Sequence, residues 1–397
     1  MSDLASADLP EVPPARLVAS AQAMIPALMQ RAAAVDREAK LAPETVRALR
    51  DAGFFRILQP QKFGGYAMRP SVLWQVSRQL GRGCGSTAFI VSLLGVHAWI
   101  VGMFEQRAQE DVFRNDSDAI VSQLSIGTRR SNEAKTADGG YVVSGAWSYA
   151  SGIDYADWVI ASIRVPDGMG ALQERIALVP SADFSIDYES WNVLGARGTG
   201  SKDVTLRDAF VPHHRTIAWD DVQQGNYPGM SVNDGPLYKM SAGSLFALSS
   251  AAPVIAVATA MVDHFVEEMA LSAARRTAKP QVERQWVQIL LGRCASQIHM
   301  THAALLHDAD EVYDAALAGD ELSLETQARH RVDAAMLSRT ALAAADELVS
   351  ALGGRVLASE SSIQRAFRDI HAMASHFRVQ PEGPCESFGR VLLGLHV

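Results

Sequence analysis

The chain has 397 residues, with 36 Lys+Arg against 44 Asp+Glu, a formal net charge of -8, 48% hydrophobic residues and three cysteines. That length suits two or three domains that bury cores without disulfide or metal staples, and an acidic chain with no Lys/Arg block excludes a dedicated nucleic-acid footprint. Cys84, Cys294 and Cys385 are odd in number, far apart and without a CxxC pair, so neither a disulfide framework nor a zinc knuckle is expected and a reducing cytoplasm is.

In chain order, Met1 to Pro14 carries Asp3, Asp8, Glu11 and three prolines, the reverse of a basic, apolar signal peptide, and reads as a short tail. Apolar residues recur at helical spacing from Ala15 to Arg50, and Ala42-Pro43-Glu44-Thr45 opens a second helix that stops at Gly53. A turn at Phe63-Gly64-Gly65-Tyr66 precedes helical text from Ser71 to Arg114. From Ala119 the pattern changes to short β-rich runs at Ala119–Ser125, Gly140–Gly145, Trp158–Val165, Arg175–Val179, Phe184–Tyr188 and Val204–Val211, separated by Gly, Pro, Asp and Asn turns. They predict a sheet or small β-barrel. After Gly235 four helical segments, roughly 241–278, 282–318, 322–353 and 361–378, read as a four-helix bundle.

The expected organisation is therefore a tail at 1–14, an α-helical domain at 15–118, a β domain at 119–234 and a helical bundle at 235–397. Gly83–Phe104 and Met240–Val262 each run for over twenty residues without Asp, Glu, Lys or Arg, long enough to span a bilayer. Their Gly, Ser, Pro and His content favours helices buried on all sides of a large protein or oligomer over membrane spans.

Most chemical motifs fail on inspection. Gly81-Arg82-Gly83-Cys84-Gly85-Ser86 follows helical text rather than a strand, so it reads as a helix junction and not a dinucleotide loop. There is no phosphate loop, no GxSxG elbow, and neither HExxH nor ExxH, which removes zincin and carboxylate-bridged di-iron chemistry; no metal site is expected. His299 and His302 share a helix face without a third ligand and read as exposed surface histidines. His97 sits inside an uncharged run, where an imidazole needs a hydrogen-bond partner or a ligand. His371 and His376 lie five apart, about 140° around a helix, so at most one of them serves a common site unless the helix breaks.

The α-β-α order and four local strings resemble the acyl-CoA dehydrogenase fold, and within it the flavin-dependent monooxygenases such as p-hydroxyphenylacetate hydroxylase oxygenase components and dibenzothiophene monooxygenase. The strings are Phe54-Phe55-Arg56-Ile57-Leu58-Gln59-Pro60 with Phe63-Gly64-Gly65-Tyr66, Val143 to Gly152 with Asp157-Trp158, Gly195-Ala196-Arg197-Gly198-Thr199-Gly200-Ser201, and Ile363 to His371. The resemblance covers nearly the whole chain.

It implies that Tyr149-Ala150-Ser151 lies across the isoalloxazine, with the Ser151 hydroxyl on flavin N5, and that Ser122 and Ser125 supply flavin or substrate hydrogen bonds. Arg275 and Arg276 match where relatives hold the flavin phosphate. Many dehydrogenases carry a catalytic Glu eight residues beyond the Asp that matches Asp369. Here that count reaches Phe377, which accepts no proton. The monooxygenases instead resemble this chain in having histidines that match His97 and His376. The implied protein is the oxygenase component of a two-component system. It takes reduced FMN or FAD from a separate NAD(P)H:flavin reductase, forms a C4a-hydroperoxide with O2 and oxygenates an aromatic or heteroatom-bearing small molecule, as a cytoplasmic homotetramer. An acyl-CoA dehydrogenase with a displaced base is the alternative.

Overall fold

The computed structural model describes residues 12–125, 132, 134–167, 171–274 and 281–395. Helices α1 (Pro14–Glu38), α2 (Pro43–Asp51), α3 (Pro70–Gly81), α4 (Gly85–Val101) and α5 (Gln106–Phe113) form the first third. Three of them open on proline, whose fixed φ suits the first helical turn and whose missing N–H is not needed there. The glycine-rich string 81–86 is indeed the junction between α3 and α4. His97 lies in the last half of α4, a helix apolar all round and buried along almost its full length.

The middle segment is β1 (Val121–Leu124), β2 (Ala134–Ala137), β3 (Gly140–Ala150), β4 (Trp158–Pro166), β5 (Leu172–Pro180), β6 (Phe184–Asp187), β7 (Lys202–Pro212) and β8 (Thr216–Ala218), followed by the short α6 (Trp219–Gln224). The strands pair as two four-stranded sheets, β1-β4-β5-β8 and β2-β3-β7-β6. The expected barrel is not shown by this pairing: among the described residues no ladder joins the two sheets, although the Trp147 indole N–H of β3 donates to the Ser162 carbonyl of β4 at 3.0 Å. Bulges interrupt the β3–β7 ladder between Val143 and Gly145 and again between Trp147 and Ala150. The second lies in the Tyr149 string, and Tyr149 itself takes a left-handed backbone, φ 64°. A bulge bends its strand and re-aims the side chains it carries.

The last third holds α7 (Ala242–Ala274), α8 (Gln285–Ala318), α9 (Leu324–Leu352), α10 (Ser362–Ala374) and α11 (Glu382–Leu392). Helix α7 includes one stretch long and apolar enough to cross a membrane, but 89% of that window is buried inside the protein. It packs on α3, α4, α8, α9 and α10 and so reads as a core helix. A single apolar cluster runs from α1–α5 into α7–α10, whereas the strands keep a smaller core of their own around Trp147, Val159, Ile163 and Leu206.

Arg368 and Asp369, adjacent on α10, clamp these layers together. Arg368 pairs with Asp36 of α1 and donates to the Leu194 carbonyl, while Asp369 accepts from the Ala196 N–H at 2.6 Å. A Cβ on Gly195 would lie 2.0 Å from the Arg368 carbonyl oxygen, so the glycine string at 195–201 is what lets the loop reach α10. Helix α10 ends at Ala374 rather than running on to 378, and this break separates the fates of His371 and His376.

Candidate active site

Ser151 sits just past the bulged end of β3, 8% exposed. Its hydroxyl is 2.8 Å from that of Ser201, which is 2.8 Å from that of Thr199, and Thr199 donates to the Ala196 carbonyl at 2.8 Å. The Ser151 carbonyl accepts from the Ser122 hydroxyl at 2.8 Å. Ser122 is fully buried and gives its proton to that carbonyl, so in this structure it positions the Ser151 backbone. Ala150 is fully buried in the strand core and offers a ligand its backbone alone. Tyr149 is 66% exposed and meets Trp191 edge to face at 5.9 Å, an aromatic shelf open to solvent. Ser125 lies partly exposed beyond β1. Arg275 and Arg276 lie outside the described residues.

His97 is 2% exposed, and its Nδ1 is 2.9 Å from the Val121 carbonyl. A carbonyl only accepts, so Nδ1 carries the proton and Nε2 presents a lone pair; Nε2 has no partner among the described residues. Burial, with a smaller contribution from Arg378, pushes the imidazole down to about 4, so it is neutral at pH 7. His376, past the end of α10, caps a 3-10 turn at Phe377–Val379, and its Nδ1 accepts from the Arg378 N–H at 3.3 Å. In the neutral ring its proton therefore sits on Nε2. Burial and then Arg378 also lower it to about 4.

The two imidazoles come from domains far apart in sequence, yet both feel the same guanidinium. Their ring polarities are opposite: His97 offers an acceptor, His376 a donor. His371, by contrast, stays on α10 and bonds Asp346 at 2.9 Å.

Arg378 was not singled out from sequence. Its guanidinium is half-buried, lies 5.1 Å from the Phe246 ring centroid and 5.0 Å from that of Phe377, and burial lowers its pKa. No carboxylate pairs with it among the described residues. A charge held out of water without a counter-ion is costly, so the group suits an anionic or electron-rich ligand. Ser375-His376-Phe377 gives no local hint that the next residue turns inward.

Reduced flavin fits this arrangement by its donor set. A hydroxyl at Ser151, an exposed aromatic shelf at Tyr149 and Trp191, and an orphaned buried nitrogen on His97 are features an isoalloxazine and a small substrate would satisfy. Elsewhere, His302 is buried rather than exposed, with its Nε2 unpartnered and its pKa lowered to about 4 by burial. His307, Asp308 and Glu311 bring ligand atoms within 4.8 Å of one another, but Arg329 already bridges Asp308 and Glu311. A cavity of about 70 Å³ lined by Cys84, Gly85, His264 and Asp369 shares no residue with the site.

Comparison with known proteins bears on this geometry. Residues 17–112 match the acyl-CoA dehydrogenase N-terminal domain and residues 248–381 the C-terminal domain. The chain is 31% identical over 376 residues, 94% of its length and 97% of the relative's, to the flavin-dependent monooxygenase oxygenase subunit HsaA of Rhodococcus jostii strain RHA1. It is 30% identical to the oxygenase component of an FADH(2)-dependent resorcinol hydroxylase from Rhizobium sp. strain MTP-10005, covering 100% of this chain and 98% of that one. The crystal structure of the HsaA monooxygenase from M. tuberculosis superposes with a TM-score of 0.90 at 31% identity, covering 97% of this chain and 99% of the other. Whole-length identity of this order, on a fold that superposes end to end, means that the chain belongs to the oxygenase subunits of flavin-dependent monooxygenases built on the acyl-CoA dehydrogenase fold.

Proposed function

We propose that the protein is the oxygenase component of a two-component monooxygenase that hydroxylates a phenolic small molecule. When bound, the reduced FMN or FAD delivered by a separate NAD(P)H:flavin reductase supplies the oxygen chemistry, through a C4a-hydroperoxide formed with O2. The chain's own residues orient, hold protons and exclude water. Ser151 meets flavin N5. His97 Nε2 accepts the hydrogen bond of the substrate hydroxyl, drawing electron density onto the ring that is to be oxygenated. The Arg378 guanidinium favours the oxygen as it gains negative charge. His376 would hold its Nε2–H as a donor toward the oxygen that the reduced flavin supplies.

The observation that carries the reading is the buried, unpartnered Nε2 of His97, whose tautomer makes it an acceptor. An acceptor beside a cation suits a weakly acidic hydroxyl better than a thioether or an amine. Phe377, 64% exposed, stands where a thioester-oxidising relative would need its carboxylate, which supports oxygenation over acyl-CoA dehydrogenation. The oxygenase-subunit names of the relatives support a partner reductase. Domain limits at 15–118, 119–234 and 235–397 and a cytoplasmic compartment belong to the same reading, as does a homotetramer, whose subunit contacts would cover the exposed apolar side chains Trp286, Ile289 and Met300 along α8 and Leu392 and Leu393 at the end of α11.

The test mixes protein and anaerobically reduced FMN or FAD with oxygen and follows absorbance, with and without a panel of substituted phenols. A long-lived flavin adduct that yields hydroxylated phenol is expected, with Ser151→Ala shortening its life. Bleaching of a bound flavin by saturated acyl-CoA thioesters, with no adduct, would overturn the proposal.

A further inference from the structure

The three hydroxyls behind the proposed flavin face form a row whose direction can be worked out by counting protons. Each Ser or Thr hydroxyl has one proton to give and lone pairs to receive. Thr199 spends its proton on the Ala196 carbonyl at 2.8 Å, since that oxygen only accepts. The 2.8 Å contact between Thr199 and Ser201 must then be bridged by the Ser201 proton. By the same count, the 2.8 Å contact between Ser201 and Ser151 must be bridged by the Ser151 proton. The opposite arrangement would leave two oxygens facing each other with nothing between them. Ser151 is thereby left with lone pairs alone to present outward.

The row is also rigid. Ser201 is 5% exposed and Thr199 2%. The next residue, Lys202, forms an ion pair with Asp154 in which both side chains are almost fully buried. Gly200 between them has φ +54°, and a Cβ there would lie 2.3 Å from an Asp154 carboxylate oxygen. The Gly152 N–H donates to the Thr199 carbonyl at 2.8 Å, so the Ser151 loop and the 199–201 turn are tied by backbone as well. Burial and these ties hold the three oxygens at the separations from which the proton count follows.

We propose that Ser201 and Thr199 are positioning residues that fix Ser151 as a hydrogen-bond acceptor and so make the site selective for reduced over oxidised flavin. Reduced flavin carries a proton on N5 and donates; oxidised flavin has a lone pair on N5 and needs a donor. A Ser151 locked as acceptor satisfies the first and opposes the second. The redox preference of the site is then set by two residues that do not touch the cofactor. This rests on the reading that Ser151 faces N5.

The experiment measures dissociation constants for reduced and oxidised FMN and FAD, and the midpoint potential of the bound flavin, in the full-length protein. Removing the Ser201 acceptor by Ser201→Ala frees the Ser151 proton to turn toward oxidised N5. The preference for the reduced form is expected to fall about tenfold, the worth of roughly one hydrogen bond, and the potential by about 30 mV for a two-electron couple. Thr199→Ala is expected to act in the same direction, and Ser201→Thr, which keeps the hydroxyl, to restore the wild-type ratio. A merely structural role for Ser201 would weaken both redox states together. If Ser151→Ala abolishes the preference while Ser201→Ala changes it less than twofold, the relay is wrong and the Ser151 reading stands. If Ser151→Ala leaves the preference intact, the Ser151 reading itself fails.

Discussion

In the row Ser151, Ser201 and Thr199, every hydroxyl proton has an acceptor within the protein. Across the proposed site, His97 Nε2 has no partner and the Arg378 guanidinium has no carboxylate among the described residues. Both regions are largely buried and polar, yet one is saturated and the other is not. A saturated network costs little to keep dry and holds its members in one geometry; a half-open one is costly until something arrives to complete it. In the proposed function the strand-derived side is therefore the part that would position, and the helix-derived side the part that would bind and react. The open groups come from α4 and the turn after α10, two elements far apart in sequence that can leave a gap between them, whereas the ends of the paired strands β3 and β7 bring Ser151 against Ser201 and Thr199 and close on each other.

The difference can be broken most sharply at His97. His97→Ala is expected to lower hydroxylated product per reduced flavin by about 10²-fold, within the range for a positioned acid–base group, with hydrogen peroxide rising in its place. Product and peroxide are measured together in single turnovers. Unchanged coupling would mean that His97 is a core histidine and the open side is not reactive.

Acid stability probes the same nitrogen without substrate. The His97 pKa falls from its ordinary 6.5 to about 4 on folding, so the unfolded chain takes up the proton first. Its contribution to stability is present above about pH 6.5 and is lost as pH falls to 4, worth roughly 3 kcal/mol for a shift of this size. Asp369 works the other way: burial raises it to about 6, so its contribution is present below its ordinary value of 3.8 and is lost as pH rises through 6. His97→Gln should flatten the fall in denaturation midpoint between pH 6.5 and 4. A curve as steep as wild type would show that the histidine is solvated.

Arg378→Met is expected to raise KM for a phenolic substrate about tenfold while leaving the dissociation constant of reduced flavin within twofold, as suits a group that meets substrate and not cofactor. Equal losses in both would move Arg378 to the flavin side. The smallest effect belongs to the saturated side. Ser122→Ala removes one bond to the Ser151 carbonyl and should cost about 1 kcal/mol of stability, read by denaturant unfolding, with adduct lifetime shortened only a fewfold. A loss as large as that of Ser151→Ala would mean that Ser122 touches the flavin after all.

Much of this architecture was legible because local physics writes it down. Helices opening on Pro14, Pro43 and Pro70 follow from fixed φ, and α4 and α7 follow from long apolar runs. The six predicted strands are present. The two that were not foreseen, β2 and β8, have only four and three residues, and Ala-Lys-Thr-Ala carries almost no β-branched signal. A closed barrel is not shown, and the sequence could not have told a barrel from two sheets: closure depends on which edge strands meet, and strand text says nothing of pairing partners. His371 and His376 looked like alternatives on one continuous helix, and the end of α10 at Ala374 put them in different environments.

The sequence by itself determined the α-β-α order, the strings that mark the family, and the presence of Ser151, His97 and His376, because propensity, capping and apolar period act over neighbouring residues. Only the tertiary structure decided which nitrogen of each histidine carries the proton, that the Ser122 hydroxyl is already spent, and that Arg378 turns into the same region as His97. Those outcomes depend on what lies within about 3 Å in space, at Val121, Ser151, Ser201 and the turn beyond Ala374, and sequence distance carries no trace of it.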